Sequence, residues 1–251
     1  MQITSYGLSD IGRVRARNED ACLLDEKHSV FAVADGLGGL PYGARASRTA
    51  VSILKEKLTA NWNPLHLKPL LQSMNREILT LGRRVNPDTG IGTTMTAAAI
   101  SGERLDIAHV GDSAVYRFTP DRVEQLTIDH TLEQEIRSRP DFNPRIPIPR
   151  RHSHVLTRCL GQIEDIEIDA YTYTVASGDR ILLCTDGVTL AIKPDEIHAW
   201  ILEAGSPETI VRNLIRTANE RGGHDNATAI AVFIDRGTIT AASTSGTPAP
   251  G

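Results

Sequence analysis

The sequence predicts an α+β protein built from antiparallel sheets with helices outside them. Three observations predict it. Short apolar strands come in runs instead of alternating one for one with helices, which disfavours a doubly wound parallel sheet. Several neighbouring strands are separated by only a few turn residues, Ser101-Gly102-Glu103 and Gly111-Asp112-Ser113, as suits antiparallel neighbours. Helices appear as adjacent amphipathic stretches.

Taken in order, the first apolar strand is Val30–Ala34. Ala50, Val51, Leu54 and Leu58 then make one helical stripe. Leu67, Leu70, Leu71, Met74, Ile78 and Leu81 make a second, with Asn63-Pro64 expected as its N-cap and first helical residue. Strands follow at Thr94–Ile100, Leu105–Val110, Ala114–Phe118 and Arg180–Cys184. Ser206-Pro207 opens a helix that buries Ile210, Val211, Leu214, Ile215 and Ala218, and Ala227–Ile234 is the last strand. Many of these strands are apolar on both faces, the mark of sheets packed between other layers.

Residues 139–151 carry four prolines and exclude both a regular helix and a central strand. From Gly237 the chain is small, polar and Pro/Gly-rich, and residues 237–251 are expected to be a disordered tail after a single domain over 1–236.

With 251 residues the chain can bury a core without staples. A formal net charge of −4 argues against a general nucleic-acid binder. No apolar run is long enough to span a bilayer, and the first residues lack both a basic start and an apolar stretch, so neither a membrane span nor a secretory signal is expected. Cys22, Cys159 and Cys184 are three and widely spaced, which suits reduced thiols and a cytoplasmic location.

Chemistry concentrates at strand ends. Phe31-Ala-Val-Ala-Asp35-Gly36, His109-Val-Gly-Asp112-Ser113 and Leu182-Leu-Cys-Thr-Asp186-Gly187 each run from an apolar strand into Asp plus a small residue. A fourth aspartate, Asp225, precedes the final strand. Each carboxylate is held on a rigid base where it can point into a cleft. Four of them would repel one another unless cations lay between. Hard oxygen donors without His or Cys suit Mg2+ or Mn2+ better than zinc. Taken singly, each Asp-Gly is also simply a good turn; it is the combination that signals a site.

That combination resembles the PPM family, the PP2C-like metal-dependent protein serine/threonine phosphatases, in its bacterial form. The motifs run in order: Asp10-x-Gly12-x-Val14-Arg15-x-x-Asn18-Glu19-Asp20, Val33-Ala-Asp35-Gly36-Leu37-Gly38-Gly39, Gly92-Thr93-Thr94, His109-Val-Gly111-Asp112-Ser113, Leu126-Thr127-x-Asp129-His130-Thr131, Leu156-Thr157-Arg158-x-Leu160-Gly161, Thr185-Asp186-Gly187-Val188 and Asp225-Asn226-Ala227-Thr228. The resemblance implies a four-layer αββα sandwich, two antiparallel sheets flanked by helix pairs, with a flap over about 131–158.

It also implies roles. Asp35 would bridge two core metals, the Gly36 carbonyl would bind one, and Asp186 and Asp225 the other. Asp112, with Asp186, would hold a weaker third ion. Glu19 and Asp20 would hold metal-bound waters, Arg15 would grip the substrate phosphate, and Asn226 would orient Asp225. The implied reaction is hydrolysis of phosphoserine and phosphothreonine by water activated at the Mn2+ or Mg2+ pair, without a phosphoenzyme. Implied partners are phosphorylated proteins, among them a bacterial Ser/Thr kinase and its substrates, and the chain is expected to be a monomer.

Other chemistries fit less well. A cysteine phosphatase needs Arg six residues after its Cys, but His28, Asp165 and Leu190 occupy those places. An aspartyl-phosphate route needs a second Asp where Leu37 stands. A metal-dependent nuclease is disfavoured by the acidic charge. A binding-only pseudophosphatase would be expected to have lost metal aspartates, whereas all four are present.

The sequence departs from the family in places. Leu37 replaces the His of eukaryotic members, and Leu40 and Ala114 stand where bacterial members often have His and Arg. Between residues 137 and 158 of the flap stand six arginines, Arg137, Arg139, Arg145, Arg150, Arg151 and Arg158, and one acid, Asp141. They are expected to form either a solvated loop or a guide for acidic phosphoprotein segments. His152 and His154 are expected to be surface residues.

Overall fold

The computed structural model describes residues 1–37, 42–61 and 67–236. The Asn63-Pro64 cap, Gly38-Gly39, Leu40 and the tail 237–251 lie outside the described residues. The described strands are β1 (Gln2–Asp10), β2 (Asp20–Asp25), β3 (Val30–Asp35), β4 (Met95–Ser101), β5 (Arg104–Val110), β6 (Ala114–Phe118), β7 (Val123–Gln125), β8 (Asp169–Thr174), β9 (Arg180–Cys184) and β10 (Ala227–Asp235). The helices are α1 (Gly43–Asn61), α2 (Leu67–Val85), α3 (Leu132–Arg137), α4 (Asp186–Thr189), α5 (Pro194–Glu203) and α6 (Pro207–Glu220). Among the described residues no helix is long and apolar enough to cross a membrane.

Two five-stranded antiparallel sheets form the centre, in the orders β1-β10-β9-β6-β7 and β2-β3-β4-β5-β8. The two-residue period of a strand explains why they stack into four layers. In β3, Val30, Ala32 and Ala34 point to one core with α1 and α2, while Phe31 and Val33 point to the other sheet. In β10, Ala229, Ala231 and Phe233 face α5 and α6, while Ile230, Val232 and Ile234 face across the sandwich. Apolar residues on both faces, as the sequence shows, therefore mean two different neighbours.

The second helical stripe is seated as its spacing predicts: Leu67, Leu71, Met74 and Ile78 are buried in α2. Asn75 is buried on the same face. Its Nδ2 donates to the carbonyls of Ile163 (2.8 Å) and Glu164 (3.1 Å), and its Oδ1 accepts from the Gly161 amide (2.8 Å). Helix α6 starts at Ser206, whose Oγ accepts from the Thr209 amide, with Pro207 in the first turn.

One connection differs from the expectation. Ser101-Gly102-Glu103 joins hydrogen-bonded neighbours β4 and β5, but Gly111-Asp112-Ser113 does not make a hairpin. Strand β5 ends in one sheet and β6 begins in the other. Gly111 takes φ +114°, and a Cβ there would lie 2.5 Å from Thr94. A few turn residues specify a sharp reversal, but not whether the chain returns to the same sheet. The crossover puts Asp112 on the rim between the sheets.

Within the flap, residues 139–149 hold neither helix nor strand, as the prolines require, and a short 3₁₀ turn follows over Arg150–His154. Helix α3 precedes it, capped by Thr131 Oγ1 on the Gln134 amide.

Candidate metal centre

At one edge of the sandwich, where the ends of β3, β5 and β9 meet the start of β10, there is a cleft of about 620 Å3. Of the residues singled out in the sequence, Arg15, Glu19, Asp35, Gly36, Asp112, Asp186, Asp225 and Asn226 line it. Asp20 does not. It is buried behind the wall, opposite Asp35 in the β2–β3 pairing.

Local geometry explains these positions. Asp35 ends β3, and its amide donates to Thr94 Oγ1 (2.9 Å) while its carbonyl accepts from Thr93 Oγ1 (2.8 Å). Asp186 opens α4, and Asp225 lies on the turn before β10. The glycines after Asp35 and Asp186 are there for close packing, not for a left-handed turn. A Cβ on Gly36 would sit 2.4 Å from the backbone of Gly43, and one on Gly187 would sit 2.0 Å from the Asn226 carbonyl. The Asp-Gly pairs thus let neighbouring backbones close in around the carboxylates.

Asn226 reaches Asp225 through its backbone and not through its side chain. Its backbone amide donates to Asp225 Oδ1 (2.8 Å). Its side chain instead ties down the loop between β1 and β2: Oδ1 accepts from the Glu19 amide (2.8 Å), and Nδ2 donates to the carbonyls of Ile11 (2.9 Å) and Arg17 (3.0 Å). That loop carries Arg15, whose Nη2 donates to Asp225 Oδ2 at 2.7 Å.

The acids strain against one another. Burial pushes the Asp35 carboxyl well above its ordinary range, helped by the charges of Asp20, Asp186, Asp112 and Asp225. Burial, then Asp186 and Asp129, pushes Asp112 up to about 8. Asp20 and Asp186 are each raised to about 6, chiefly by burial. Asp20 Oδ2 accepts from Thr185 Oγ1 (2.9 Å) and Thr228 Oγ1 (2.6 Å), but its Oδ1 is buried without a partner, as is Asp186 Oδ1.

Comparison with known proteins agrees with this geometry. Residues 12–221 match the family model for protein phosphatase 2C. The chain belongs to the protein phosphatase 2C family. It is 31% identical over 234 residues to the serine/threonine phosphatase stp of Listeria innocua, covering 89% of this chain and 93% of that one. The PPM Ser-Thr phosphatase MsPP from Mycobacterium smegmatis, solved in complex with cacodylate, superposes with a TM-score of 0.81 at 32% identity, covering 92% of this chain and 98% of the other. The catalytic domain of PstP, solved with 2 manganese ions, superposes with a TM-score of 0.81 at 27% identity, over 93% and 99% of the two chains. This protein phosphatase 2C member is thus a metal-dependent protein phosphatase with a four-layer α+β sandwich.

The donor set of this phosphatase fits divalent cations. Repelling carboxylates and two orphaned carboxylate oxygens are what such ions would relieve. Among the described residues, no three acidic, His or Cys side chains converge tightly enough to enclose one ion. Mg2+-like ions keep several waters, so carboxylates around a cleft can hold one without closing tightly on it.

Sequence reasoning missed His154. Half exposed, it nevertheless lines the cleft, with Nδ1 3.9 Å from Asp186 Oδ2. Its flap position carries no periodic signal; only the folding-back of the 3₁₀ turn brings it there. The flap arginines are also less free than their number suggests. Arg137 is paired with Glu133, and Arg158 Nη1 with Asp169 Oδ1 (2.8 Å), which leaves Arg139, Arg145 and Arg151 exposed without a carboxylate partner among the described residues.

Proposed function

We propose that this phosphatase hydrolyses phosphoserine and phosphothreonine in proteins, at a pair of Mn2+ or Mg2+ ions, and so reverses a bacterial serine/threonine kinase. The observation that carries the reading is the ring of Asp35, Asp112, Asp186 and Asp225 around one cleft, with the carboxyls of Asp35, Asp112 and Asp186 pushed upward by burial and Arg15 at its wall. Asp35 and the Gly36 carbonyl would hold the first ion, Asp35, Asp186 and Asp225 the second, and Asp112 with Asp186 a weaker third. When bound, the ions would acidify a water and neutralise phosphoryl charge, as two-metal sites do.

The chain's own residues supply the rest. Glu19 places a further acceptor in the cleft, where it can orient ordered water, and Asp20 would do so from behind the wall opposite Asp35. Arg15 uses one donor on Asp225, and its remaining N–H groups can take two phosphate oxygens. Leu37 lines the cleft and cannot give a proton, so the leaving alkoxide must take its proton from water or from another cleft residue. Names of relatives support the substrate class: stp and MsPP are both called Ser/Thr phosphatases.

The test is p-nitrophenyl phosphate hydrolysis with Mn2+, Mg2+ or EDTA, followed by phosphoSer, phosphoThr and phosphoTyr peptides. Turnover should need a divalent ion and favour the first two peptides. Full turnover in EDTA, with no metal by elemental analysis, would sink the metal reading. A preference for phosphotyrosine would sink the substrate class.

A further inference from the structure

Beside the cleft, on the other side of Glu19, lies a second groove of about 480 Å3. Three guanidinium groups line it, from Arg17 on the β1–β2 loop and from Arg45 and Arg48 on α1. Arg45 and Arg48 are one turn apart and share a helix face. The hydroxyl-bearing residues Tyr42, Thr49 and Ser52 line it as well. All three arginines are exposed, and none makes a salt bridge among the described residues. Among the described residues, Arg48 Nη2 donates a 3.4 Å bond to the Asn18 carbonyl. Among the described residues Glu19 is the one acid on the groove wall, and it also lines the cleft.

The arrangement runs against local preference. A helix start favours acids and disfavours cations, yet the first turns of α1 carry two arginines and no acid. Like charges gathered on one face repel, and a sequence keeps such a conflict where something outside the fold resolves it. What resolves three forks and three hydroxyls is a multivalent oxyanion, because guanidinium geometry matches two phosphate oxygens at a time.

We propose that this groove is a subsite for a second phosphorylated residue of the substrate segment, so that the enzyme favours multiply phosphorylated stretches of protein. The inference rests on the phosphoprotein phosphatase reading above. Glu19, shared by both walls, makes the groove continuous with the cleft. A peptide with one phosphate over the aspartates can therefore lay a neighbouring phosphate between Arg45 and Arg48.

The experiment uses the full chain with Mn2+ and a family of phosphothreonine peptides. Each carries a second phosphate at a different position on either side, with singly phosphorylated and Glu-substituted versions as controls. At the matching spacing the second phosphate should lower KM about fivefold, in line with a few exposed but bidentate charge pairs. Arg45→Ser/Arg48→Ser should abolish that gain while leaving p-nitrophenyl phosphate and the singly phosphorylated peptide unchanged. Arg45→Lys/Arg48→Lys should restore part of it. Equal KM for all peptides, or a gain that survives in the Ser variant, would overturn the proposal. A Glu peptide as good as the doubly phosphorylated one would overturn the phosphate assignment.

Failure of the catalytic reading shows separately, as no turnover of any substrate. In that event fluorescence anisotropy of the doubly phosphorylated peptide on the wild type and the Ser variant still decides: equal affinities refute the subsite, and weaker binding by the variant supports it.

Discussion

Replacing Asp112 by Asn should make the metal-free protein more stable. Asp112 sits on the crossover between the sheets, and burial with the charges of Asp186 and Asp129 raises its carboxyl to about 8 from 3.8. A carboxyl raised on folding contributes stability fully present below pH 3.8, which is then lost as pH climbs through 8. Asn stays neutral throughout and carries no such loss. At about 1.4 kcal/mol for each pH unit by which a carboxyl is raised, the ceiling is several kcal/mol. Water at the cleft mouth and relief passed to Asp35 and Asp186 reduce this, so about 1 to 2 kcal/mol is expected. The assay is urea unfolding of both proteins in EDTA at pH 5 and pH 8. Wild type should lose 1 to 2 kcal/mol more than the variant between those values, by roughly the m-value times the midpoint shift. Excess Mn2+ should raise the wild type more than the variant, because an ion that binds only the folded state stabilises by mass action. A variant less stable than wild type in EDTA at both pH values would show that Asp112 is a satisfied structural acid, and would refute the repulsion argument.

Asp35→Asn and Asp225→Asn should each cut kcat by a few orders of magnitude at saturating Mn2+; near-normal rates would contradict their place as ligands. Arg15→Ala should raise KM for phosphorylated substrates with little change in Mn2+ affinity by titration calorimetry, since a phosphate clamp acts on ground and transition states alike. The reverse pattern would mean that its 2.7 Å bond to Asp225 is its chief role. Arg145→Ser/Arg151→Ser should lower kcat/KM for a phosphoprotein, flatten its salt dependence and spare p-nitrophenyl phosphate, because exposed charges are screened beyond about 8 Å at physiological salt. Equal losses on both substrates would place these arginines in the fold or the cleft. His109 is fully buried beside His130, and burial pushes its imidazole down to about 3 from 6.5. The stability this contributes is present above pH 6.5 and lost as pH falls toward 3, at up to about 1.4 kcal/mol per unit. Urea midpoints at pH 7 and pH 5 should show a steeper acid loss in wild type than in His109→Asn, and parallel slopes would refute it.

Much of this enzyme is legible in one dimension. Periodicity places β3–β6, β9 and β10 to within about a residue and picks out the buried stripes of α2 and α6, because burial on one or both faces leaves a local record. The ordered Asp-Gly motifs name the family and the acids that the cleft collects. Other elements leave weaker traces. Strand β8 (Asp-Ala-Tyr-Thr-Tyr-Thr) alternates exposed and half-buried positions at a sheet edge, and β1 is half-buried along most of its length, so neither forms an apolar run. That Gly111–Ser113 changes sheets is decided by packing against Thr94, a contact invisible in the turn itself. Asn226 holds the Arg15 loop from more than two hundred residues away, and His154 reaches Asp186 only when the flap folds back. Arg17 joins Arg45 and Arg48 across the chain to make the basic groove that a net charge of −4 conceals. Local sequence records how much each residue is buried. Which charges then face one another depends on which strand ends the two sheets bring to a common edge, and that is settled only when the sheets pack.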